Sequence, residues 1–285
     1  MSSVPAWVLP HLRCPRCSTG ELRARDAALR CESCAAEFPC DGVPRLIKGD
    51  ARAWNPHRTP SRARIDEHLR HLEATGWIGD AMIDGVPAGD LVLSVGEGCG
   101  EMLVRLATRR PDRYFVGTDI SVDRVANATE LAARRGLRNV WFCVADATRL
   151  PFAAHAFEAG YTRGVLHVLP DPESALAEMR RVLRSRLLVD RLANRPFFAL
   201  WFWLLQRYEN LRARVQRRAP DPGIWQSVVE TLETGTYRPL WRYRAWFRRD
   251  RAARVRATSL FIWETPTHRP VLGWLGIGGA IDVRL

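Results

Sequence analysis

Lysine is almost absent from this chain. Of its 43 basic residues only Lys48 is a lysine, and the others are arginines. A bias of this kind follows from the nucleotide composition of a gene as readily as from selection for a polyanionic partner. The net charge of +12 therefore does not by itself establish nucleic-acid binding.

Long apolar runs, a secretory signal and internal repeats are also missing. No segment reaches the roughly 20 apolar residues that cross a bilayer, so we expect no integral membrane association. Met1 to Pro10 lacks the basic start and the apolar run of a signal peptide. We therefore expect a cytoplasmic protein whose seven cysteines are kept reduced.

The most informative stretch that is present is an apolar strand followed by three glycines at alternate positions, LVLSVGEGCG, and then by the helix-like EMLVRLATRR. At Gly96, Gly98 and Gly100 the backbone can turn sharply and approach a ligand. The helix that follows offers its free N–H groups to a carboxylate or phosphate. Because a tight strand-to-helix turn also needs glycine for steric reasons, this loop alone is a weak signal.

Two acidic residues strengthen the signal, because each ends a further apolar strand. Asp119 is the last residue of the apolar strand in YFVGTDIS. It lies nineteen residues after Gly100, where an acid can bind both hydroxyls of a ribose. Asp146 ends VWFCVADA. A dinucleotide-binding loop requires G-x-G-x-x-G, and Glu101 occupies the place of its last glycine, which argues against NAD or FAD.

These residues, together with FCVADATRLPFAAHAFEAGYTRGVLHVLPDPESALAEMRRVLR, resemble class I S-adenosylmethionine-dependent methyltransferases of the methyltransferase-11 type, over about Asp90 to Asp190. The resemblance implies an α/β fold with a Rossmann-like seven-stranded sheet. It also implies that the glycine loop holds the methionine part of the cofactor, that Asp119 binds the ribose, and that Asp146 meets the adenine amino group. The implied cofactor-binding residues are Gly96, Glu97, Gly98, Gly100, Asp119, Ile120, Asp146 and Ala147.

The chain departs from that family at two places. Ser94 stands where the family usually has an acid that helps to hold the methionine end. Glu97 can replace this acid, or it can be a loop carboxylate without a ligand role. In addition, VLR runs directly into SRLLVD without the proline and glycine that normally turn the helix into the fifth strand.

A second signal is a pair of C-x2-C knuckles separated by thirteen residues. Four thiolates at this spacing can form a tetrahedral site for structural zinc, and a segment this small gains folding energy from a metal. The alternatives are four reduced cysteines in a small core, or disulfides. The predicted metal ligands are Cys14, Cys17, Cys31 and Cys34.

The whole segment LRCPRCSTGELRARDAALRCESCAAEFPCDGVPRLI resembles zinc-ribbon modules of the Trm112 type. Ribosomal RNA guanine methyltransferases of the RlmA type also join an N-terminal zinc site to this catalytic fold, which makes RNA a substrate candidate. We predict a zinc ribbon at residues 1–49, a linker at 50–65 and a methyltransferase domain at 66–285. That domain begins with a helical segment around Asp66 to Met82.

The C-terminal third carries most of the positive charge, with 18 arginines against 8 acids in residues 186–285. Arginine is interleaved there with aromatic residues, which suits RNA phosphates and bases, although a solvated arginine face is the alternative. The aromatic block Phe197 to Leu205 is too short to span a bilayer. We predict that residues 191–250 form a helical lid or wall of an acceptor pocket.

Methyl transfer requires little more than a correct distance and angle between the activated methyl group and its acceptor. If a base is needed, the predicted loop after the fourth strand supplies the candidate catalytic residues Tyr161, Arg163 and His167. The sequence has no Asn-Pro-Pro-aromatic motif, which argues against methylation of an exocyclic amine.

The leading hypothesis is a zinc-ribbon methyltransferase that uses S-adenosylmethionine to methylate a small or lipophilic metabolite. The first alternative is an RNA (rRNA or tRNA) base methyltransferase. The second is a catalytically degenerate cofactor fold that serves as a binding module. The metabolite hypothesis requires an apolar acceptor site, the RNA hypothesis requires salt-sensitive RNA binding, and the module hypothesis requires no affinity for the cofactor.

Overall fold

The structure of the protein is a computed structural model that describes residues 4–40, 42–49, 59–193, 203–204, 207–208, 210–217, 240–248, 254–260, 266–267 and 278–285. The chain divides into two units. The first comprises Met1–Thr162, Glu173–Leu187 and Leu285, and the second comprises Arg163–Pro172 and Leu188–Arg284. Within the described part of the chain, no helix has the length and hydropathy that a membrane-spanning segment requires.

The first unit begins with a small antiparallel sheet. A 3-10 turn at Leu9–His11 precedes β1 (Leu22–Arg25), β2 (Ala28–Cys31) and β3 (Glu37–Pro39), which pair in that order. β1 and β3 each bury one apolar side chain between exposed neighbours, and β2 alternates between buried and half-buried residues, as expected for a sheet with one solvated face. A short fourth strand, β4 (Arg45–Leu46), leaves this sheet and pairs in parallel with a strand of the large sheet.

Two helices connect the ribbon segment to the large sheet. Helix α1 (Arg62–Thr75) buries Ile65, Leu69 and Leu72, which recur at helical spacing and face α3. It begins four residues before the predicted start at Asp66 and ends at Thr75, and Gly76, whose φ is 72°, caps it. Helix α2 (Asp80–Asp84) follows, so the predicted single helical segment is in fact two helices joined by a turn.

The large sheet of the first unit is parallel. Its strands are β5 (Leu91–Val95), β6 (Tyr114–Asp119), β7 (Val140–Ala145), β8 (Phe157–Arg163) and the first half of β9 (Leu183–Ala193), in the order β9-β8-β5-β6-β7-β4. Helices α3 (Glu101–Arg109), α4 (Val122–Arg134) and α5 (Pro172–Val182) connect them. Every residue of β5 and β7 is buried, which is typical of a parallel sheet covered on both faces.

The second unit contains the second half of β9, α6 (Leu240–Arg248), β10 (Arg254–Leu260), β11 (Pro266–Thr267) and β12 (Gly278–Arg284). Its strand order is β11-β10-β12-β9, and β10 is antiparallel to both of its neighbours. Helix α6 packs against β10 and β12 and buries Tyr243 and Phe247, which lie one turn apart.

The predicted fold class is confirmed. Apart from the two-residue strands β4 and β11, the large sheet has seven strands. The last two of these, β10 and β12, lie in the C-terminal segments VRATSLFIWET and GGAIDVRL. Helix α5 ends at Val182 and β9 begins at Leu183, so the missing proline and glycine correspond to a direct helix-to-strand junction. The predicted lid at 191–250 lies largely outside the described residues.

Gly100 offers a test of the packing around the first helix of the large sheet. It caps α3 with a φ of 89°, and a Cβ on it would lie 2.7 Å from the Ala128 Cβ and 3.2 Å from the Phe142 ring. We expect Gly100→Ala to lower the free energy of unfolding by about 2–5 kcal/mol, since left-handed strain and overpacking add together. Urea denaturation measures this loss.

The matched control is Gly136→Ala. Gly136 also has a positive φ, of 65°, but a Cβ there would meet nothing within 4 Å. This variant should lose only the cost of the backbone conformation, about 1–2 kcal/mol. Equal losses in the two variants would refute the steric explanation for Gly100.

Candidate functional site

The glycine loop lies at the carboxyl end of β5. The backbone N–H groups of Gly96 and Glu97 donate to the carbonyl oxygen of Thr118, at 2.8 and 2.9 Å, which fastens the loop to β6. Gly96, Gly98 and Gly100 all have positive φ angles, of 72°, 70° and 89°. A Cβ on Gly98 would meet nothing within 4 Å, whereas one on Gly100 would overlap α4. The loop is therefore open to a ligand at Gly98 and closed by packing at Gly100.

Asp119 ends β6 beside this loop. Its Oδ2 accepts a hydrogen bond from the Gly98 N–H and its Oδ1 accepts one from the Ser121 N–H, both at 2.9 Å. The residue is only 7% exposed. Because an ionised carboxylate offers about four acceptor positions, these two bonds orient Asp119 and leave acceptor capacity for a pair of hydroxyl groups.

Asp146 follows β7 directly and is half-buried. Its Oδ1 accepts hydrogen bonds from the Thr148 N–H at 2.8 Å and from the Thr148 hydroxyl at 2.7 Å. Both bonds fall on one oxygen, so Oδ2 remains an acceptor for a donor group. The predicted neighbours Ile120 and Ala147 are also half-buried, one after each acid.

These predicted residues lie at the carboxyl ends of three adjacent parallel strands, β5, β6 and β7, which is where open α/β sheets bind their ligands. The strand order reverses at β5, because β6 lies on one side of it and β8 on the other. An open glycine turn and two carboxylates fit a ligand that has hydroxyl and amino donors, such as an adenosine.

Glu97 does not point into solvent. Its Oε2 accepts hydrogen bonds from the Ser94 hydroxyl and, at 2.8 Å, from the Tyr161 hydroxyl, while its Oε1 accepts one from the Leu103 N–H at 2.7 Å. The N–H of Leu103, in the first turn of α3, was expected to be available to a ligand and is instead bound by Glu97. Burial raises the pKa of Glu97 to about 7, against the lowering effect of these three hydrogen bonds.

Tyr161 lies inside β8 rather than in the loop after it, and it is 1% exposed. Its ring meets Trp77 edge-on, with centroids 4.7 Å apart. The Trp77 backbone N–H donates to Asp80 at 3.0 Å, and Asp80 forms a bidentate pair with the buried Arg105, both bonds being 2.7 Å. Sequence reasoning missed Trp77; an aromatic residue between two helix-forming stretches was its only signal.

The other two candidate catalytic residues belong to the second unit. Arg163 ends β8 and forms an ion pair with the buried Asp190, at 3.4 Å. The Gly164 N–H also donates to the backbone carbonyl of Asp190, at 3.0 Å. His167 lies in the turn after β8 and is half-buried. The arginine thus has a structural partner, and the histidine is the one of the three that lies in the predicted loop.

The four predicted cysteines come together. Their sulfurs all lie within 4.8 Å of one another, and the Cys14–Cys34 and Cys17–Cys31 sulfur distances are both 3.7 Å. A zinc–sulfur bond of about 2.3 Å places the sulfurs of a tetrahedron about 3.8 Å apart, so the cluster has the dimensions of such a site. Among the described residues, no other cluster of His, Cys, Asp and Glu has a comparable arrangement.

Backbone groups support this cluster. N–H groups donate to the sulfurs of Cys14, Cys17 and Cys31 at 3.3 to 3.4 Å. The hydrogen bonds at Cys17 lower its pKa to about 6, whereas burial raises the pKa of Cys14, so the two thiols do not favour the thiolate equally. A Cβ on Gly20 would overlap the Cys31 sulfur, so glycine is required beside the cluster.

The cysteine knuckles also contact the loop that carries Asp146. The Arg149 guanidinium donates to the Ser18 hydroxyl at 3.1 and 3.3 Å, and Ser18 follows Cys17 directly. Two backbone bonds reinforce the contact, from the Arg13 N–H to the Pro151 carbonyl at 2.9 Å and from the Ala153 N–H to the His11 carbonyl at 2.8 Å. The ribbon and this loop are therefore one packed structure.

The raised pKa of Glu97 predicts a pH dependence of stability. Between its usual pKa of 4.5 and about 7, Glu97 is protonated in the folded protein and ionised in the unfolded chain, so stability falls as the pH rises through this window. Glu97→Gln removes that slope. From about pH 5 to about pH 8, we expect the wild type to lose up to about 3 kcal/mol of unfolding free energy relative to this variant, measured by urea denaturation.

Glu67→Gln serves as the control, because Glu67 is exposed on α1. This variant should keep the wild-type slope. Parallel stability profiles for the wild type and Glu97→Gln would show that burial does not perturb Glu97.

Comparison with known proteins agrees with this geometry. Residues 92–186 match a family model described as a methyltransferase domain. The chain is 34% identical over 142 residues to the demethylmenaquinone methyltransferase of Roseiflexus sp. strain RS-1, which covers 47% of this chain and 58% of the relative. It is 30% identical over 169 residues to the tRNA (guanine-N(7)-)-methyltransferase of Synechococcus sp. strain JA-3-3Ab, which covers 59% of this chain and 67% of the relative.

Several curated relatives are matched over only 44% to 58% of their own length. A solved phosphoethanolamine N-methyltransferase 2 of Haemonchus contortus covers 75% of this chain and 48% of its own, with a TM-score of 0.51 and 15% identity, and this likeness shows the fold. The domain match spans the strands that carry the glycine loop and the two aspartates, and the Synechococcus relative is 30% identical over two thirds of its length. The chain therefore belongs, as its sequence predicted, to the class I S-adenosylmethionine-dependent methyltransferases.

Proposed function

We propose that this protein transfers the methyl group of S-adenosylmethionine to a small or lipophilic acceptor. The observation that carries the proposal is a set of groups at the carboxyl ends of β5, β6 and β7 that a ligand can reach. They are the open turn at Gly98, the oriented carboxylate of Asp119, and the Asp146 carboxylate, whose two internal hydrogen bonds both fall on Oδ1. Together they match the polar groups of an adenosine with an attached amino acid.

Each group has a separate role in holding the cofactor. The Asp119 carboxylate binds the ribose hydroxyls, and the Asp146 Oδ2 accepts from the adenine amino group. The loop from Gly96 to Gly100 lies along the methionine part. Ile120 and Ala147, each next to one of the two acids, also contact the cofactor. When bound, S-adenosylmethionine supplies a methyl group already activated by its sulfonium sulfur, so these residues act mainly by fixing position and angle.

Glu97 takes over the position of the missing family acid. Because the Ser94 hydroxyl donates to Glu97, the negative charge lies three residues further along the chain while its side chain returns to the same strand end. A cationic methionine group nearby favours the ionised form of Glu97. This exchange supports a working site rather than the degenerate module that Ser94 alone suggested.

An aromatic pair favours a small or lipophilic acceptor. Trp77 and Tyr161 pack against each other, and the Tyr161 hydroxyl is bound to Glu97 beside the glycine loop. Tyr161 is itself buried, so Trp77, which is half-buried, is the member of the pair that an acceptor would contact. Apolar walls with a few oriented polar groups are typical of small-molecule sites. A relative named as a demethylmenaquinone methyltransferase is consistent with this class of acceptor.

RNA is the second candidate acceptor, because another relative is named as a tRNA (guanine-N(7)-)-methyltransferase and the C-terminal third is strongly basic. To distinguish the two candidate acceptors, labelled methyl groups are followed into total RNA and into a lipid extract from the same cells. Incorporation into RNA that falls steeply with added salt would favour the second candidate.

The three catalytic candidates have different supporting contacts. Tyr161 and Arg163 are bound to acidic partners, Glu97 and Asp190 respectively, which supports positioning roles for them. His167, in the turn after β8, is the proposed base for acceptors that must lose a proton.

We also propose that Cys14, Cys17, Cys31 and Cys34 hold a structural zinc ion. Four cysteine ligands close a tetrahedral site and leave no position for substrate. The metal would therefore stabilise the ribbon, and through the Arg149–Ser18 contact it would hold the loop that carries Asp146.

Cofactor binding is tested by calorimetric titration of the protein with S-adenosylmethionine and with its demethylated product. We expect Asp119→Asn to weaken both affinities by about 10- to 100-fold, because it replaces a charged acceptor of two hydroxyl groups. Asp123→Asn is the control, since Asp123 is exposed on α4, and its affinity should equal that of the wild type. No measurable binding by folded wild-type protein would refute the proposed activity.

The metal proposal is tested by zinc content and thermal unfolding. We expect the wild type to hold one zinc ion per chain, and Cys34→Ser to lose it with a clear drop in Tm. Cys99→Ser, which removes a buried cysteine outside the cluster, should retain the metal. Removal of zinc by a chelator should also weaken S-adenosylmethionine binding several-fold through the Asp146 loop. A metal-free wild type of equal stability would refute the proposal.

A further inference from the structure

The second unit exposes an unusual set of apolar side chains. Residues 203–204, 207–208 and 210–215 are helical. Every large hydrophobic side chain that is exposed in the described part of the chain lies here: Trp203, Leu204, Tyr208, Leu211 and Val215, which are 46% to 77% exposed. Elsewhere among the described residues, large apolar side chains are buried or partly covered.

Four of these residues form one stripe. Leu204, Tyr208, Leu211 and Val215 follow one another at spacings of four, three and four residues, which places them on one face of a helix. Ala213 lies two residues from both Leu211 and Val215, hence on the opposite side, and it is 1% exposed. The described helical residues therefore pack on the Ala213 side and turn the apolar stripe outwards.

Arginines flank the stripe on both sides. Arg207 and Arg214 each precede a stripe residue and Arg212 follows one, so they lie on opposite flanks of the same face, and all three are exposed. Residues 203–218 contain five arginines against one acid, Glu209. The outward surface is thus an apolar centre with Arg207 and Arg214 on one flank and Arg212 on the other.

We infer that this surface, the apolar stripe with its flanking arginines, binds the face of a lipid bilayer that carries anionic headgroups. A helix of this kind lies in the plane of the interface, with its apolar side chains below the headgroups. Arginine stems extend along the apolar layer while the guanidinium groups reach the phosphates. Each such charge adds about 1 kcal/mol of attraction near an anionic surface.

The charge pattern argues against a second copy of the chain as the partner. The spacing of the stripe is also that of a coiled-coil seam, but it covers fewer than two heptads, less than a stable pair requires. In a symmetric pair the flanking arginines of both copies would face each other, with a single acid in each segment to compensate. Like charges so placed repel.

The side-chain types argue against RNA. Binding of single-stranded RNA uses aromatic rings as stacking platforms, whereas three of the four stripe residues are aliphatic. The nearby indole of Trp203 is already covered by the Arg207 guanidinium, which lies 4.6 Å from the ring centroid. Aliphatic side chains between arginines suit lipid better than bases.

The inference goes beyond methyl transfer and does not depend on it. Full-length protein is sedimented with vesicles of phosphatidylcholine alone, or of phosphatidylcholine with phosphatidylglycerol at about one anionic lipid in four. We expect binding to the mixed vesicles, and at least about tenfold weaker partition onto phosphatidylcholine alone. The double variant Leu211→Ser/Val215→Ser should weaken partition onto mixed vesicles by at least about tenfold.

A charge-matched pair of variants completes the experiment. Arg212→Gln/Arg214→Gln should weaken partition by about tenfold at low salt, whereas Arg64→Gln/Arg70→Gln, which removes two exposed arginines of α1, should leave it unchanged. The circular dichroism spectrum and the Tm, measured on the same preparations, should be unaltered in every variant, which shows that they are folded and keeps this test separate from the proposed activity.

Three results would overturn the inference. The first is no partition of the wild type onto anionic vesicles. The second is an equal effect of the two arginine pairs. The third is that vesicle partition is unchanged in the variants while another interaction is lost. That interaction would be self-association in the Leu211→Ser/Val215→Ser variant, or RNA binding in the Arg212→Gln/Arg214→Gln variant.

Discussion

The buried carboxylate of Glu97 is the constraint on which the site depends. It joins the end of β5 through Ser94, the first turn of α3 through Leu103 and the centre of β8 through Tyr161. Removing the carboxylate would leave two hydroxyl groups and one N–H without their acceptor, at a cost of about 1–3 kcal/mol for each buried group. The glycine loop keeps its shape because the residue in its middle is held from three sides.

The two aspartates beside the loop are supported differently. Asp119 is oriented by the glycine loop itself, through the Gly98 N–H, so its position follows from the loop. Asp146 is oriented by its own turn at Thr148, and that turn rests on the cysteine ribbon through Arg149 and Ser18. The ribbon is therefore more than an appended module, because one end of the proposed cofactor site is built against it.

Local patterns made much of this predictable. Apolar runs ending in glycine or aspartate identified the strands and the residues at their carboxyl ends, and the cysteine spacing identified the cluster. Contacts between distant segments were not predictable in this way. Nothing in the sequence pairs Trp77 with Tyr161 or β4 with β7. The spacing of apolar residues shows which face of a helix or strand is buried, but not which element packs against that face. For Glu97, the sequence offered a ligand role or an idle one, and only the fold showed three internal donors.

Strand β4 has a consequence for solubility. In the first unit it pairs with Val144 and Ala145 and so covers the carboxyl end of the outer edge of β7, a strand whose residues are all buried. An uncovered strand of this composition presents unpaired N–H and carbonyl groups, which is a template for pairing with other chains. Since β4 directly follows the ribbon sheet, unfolding of the ribbon alone would expose that edge. Loss of the ribbon's order would then show first as aggregation of an otherwise folded protein.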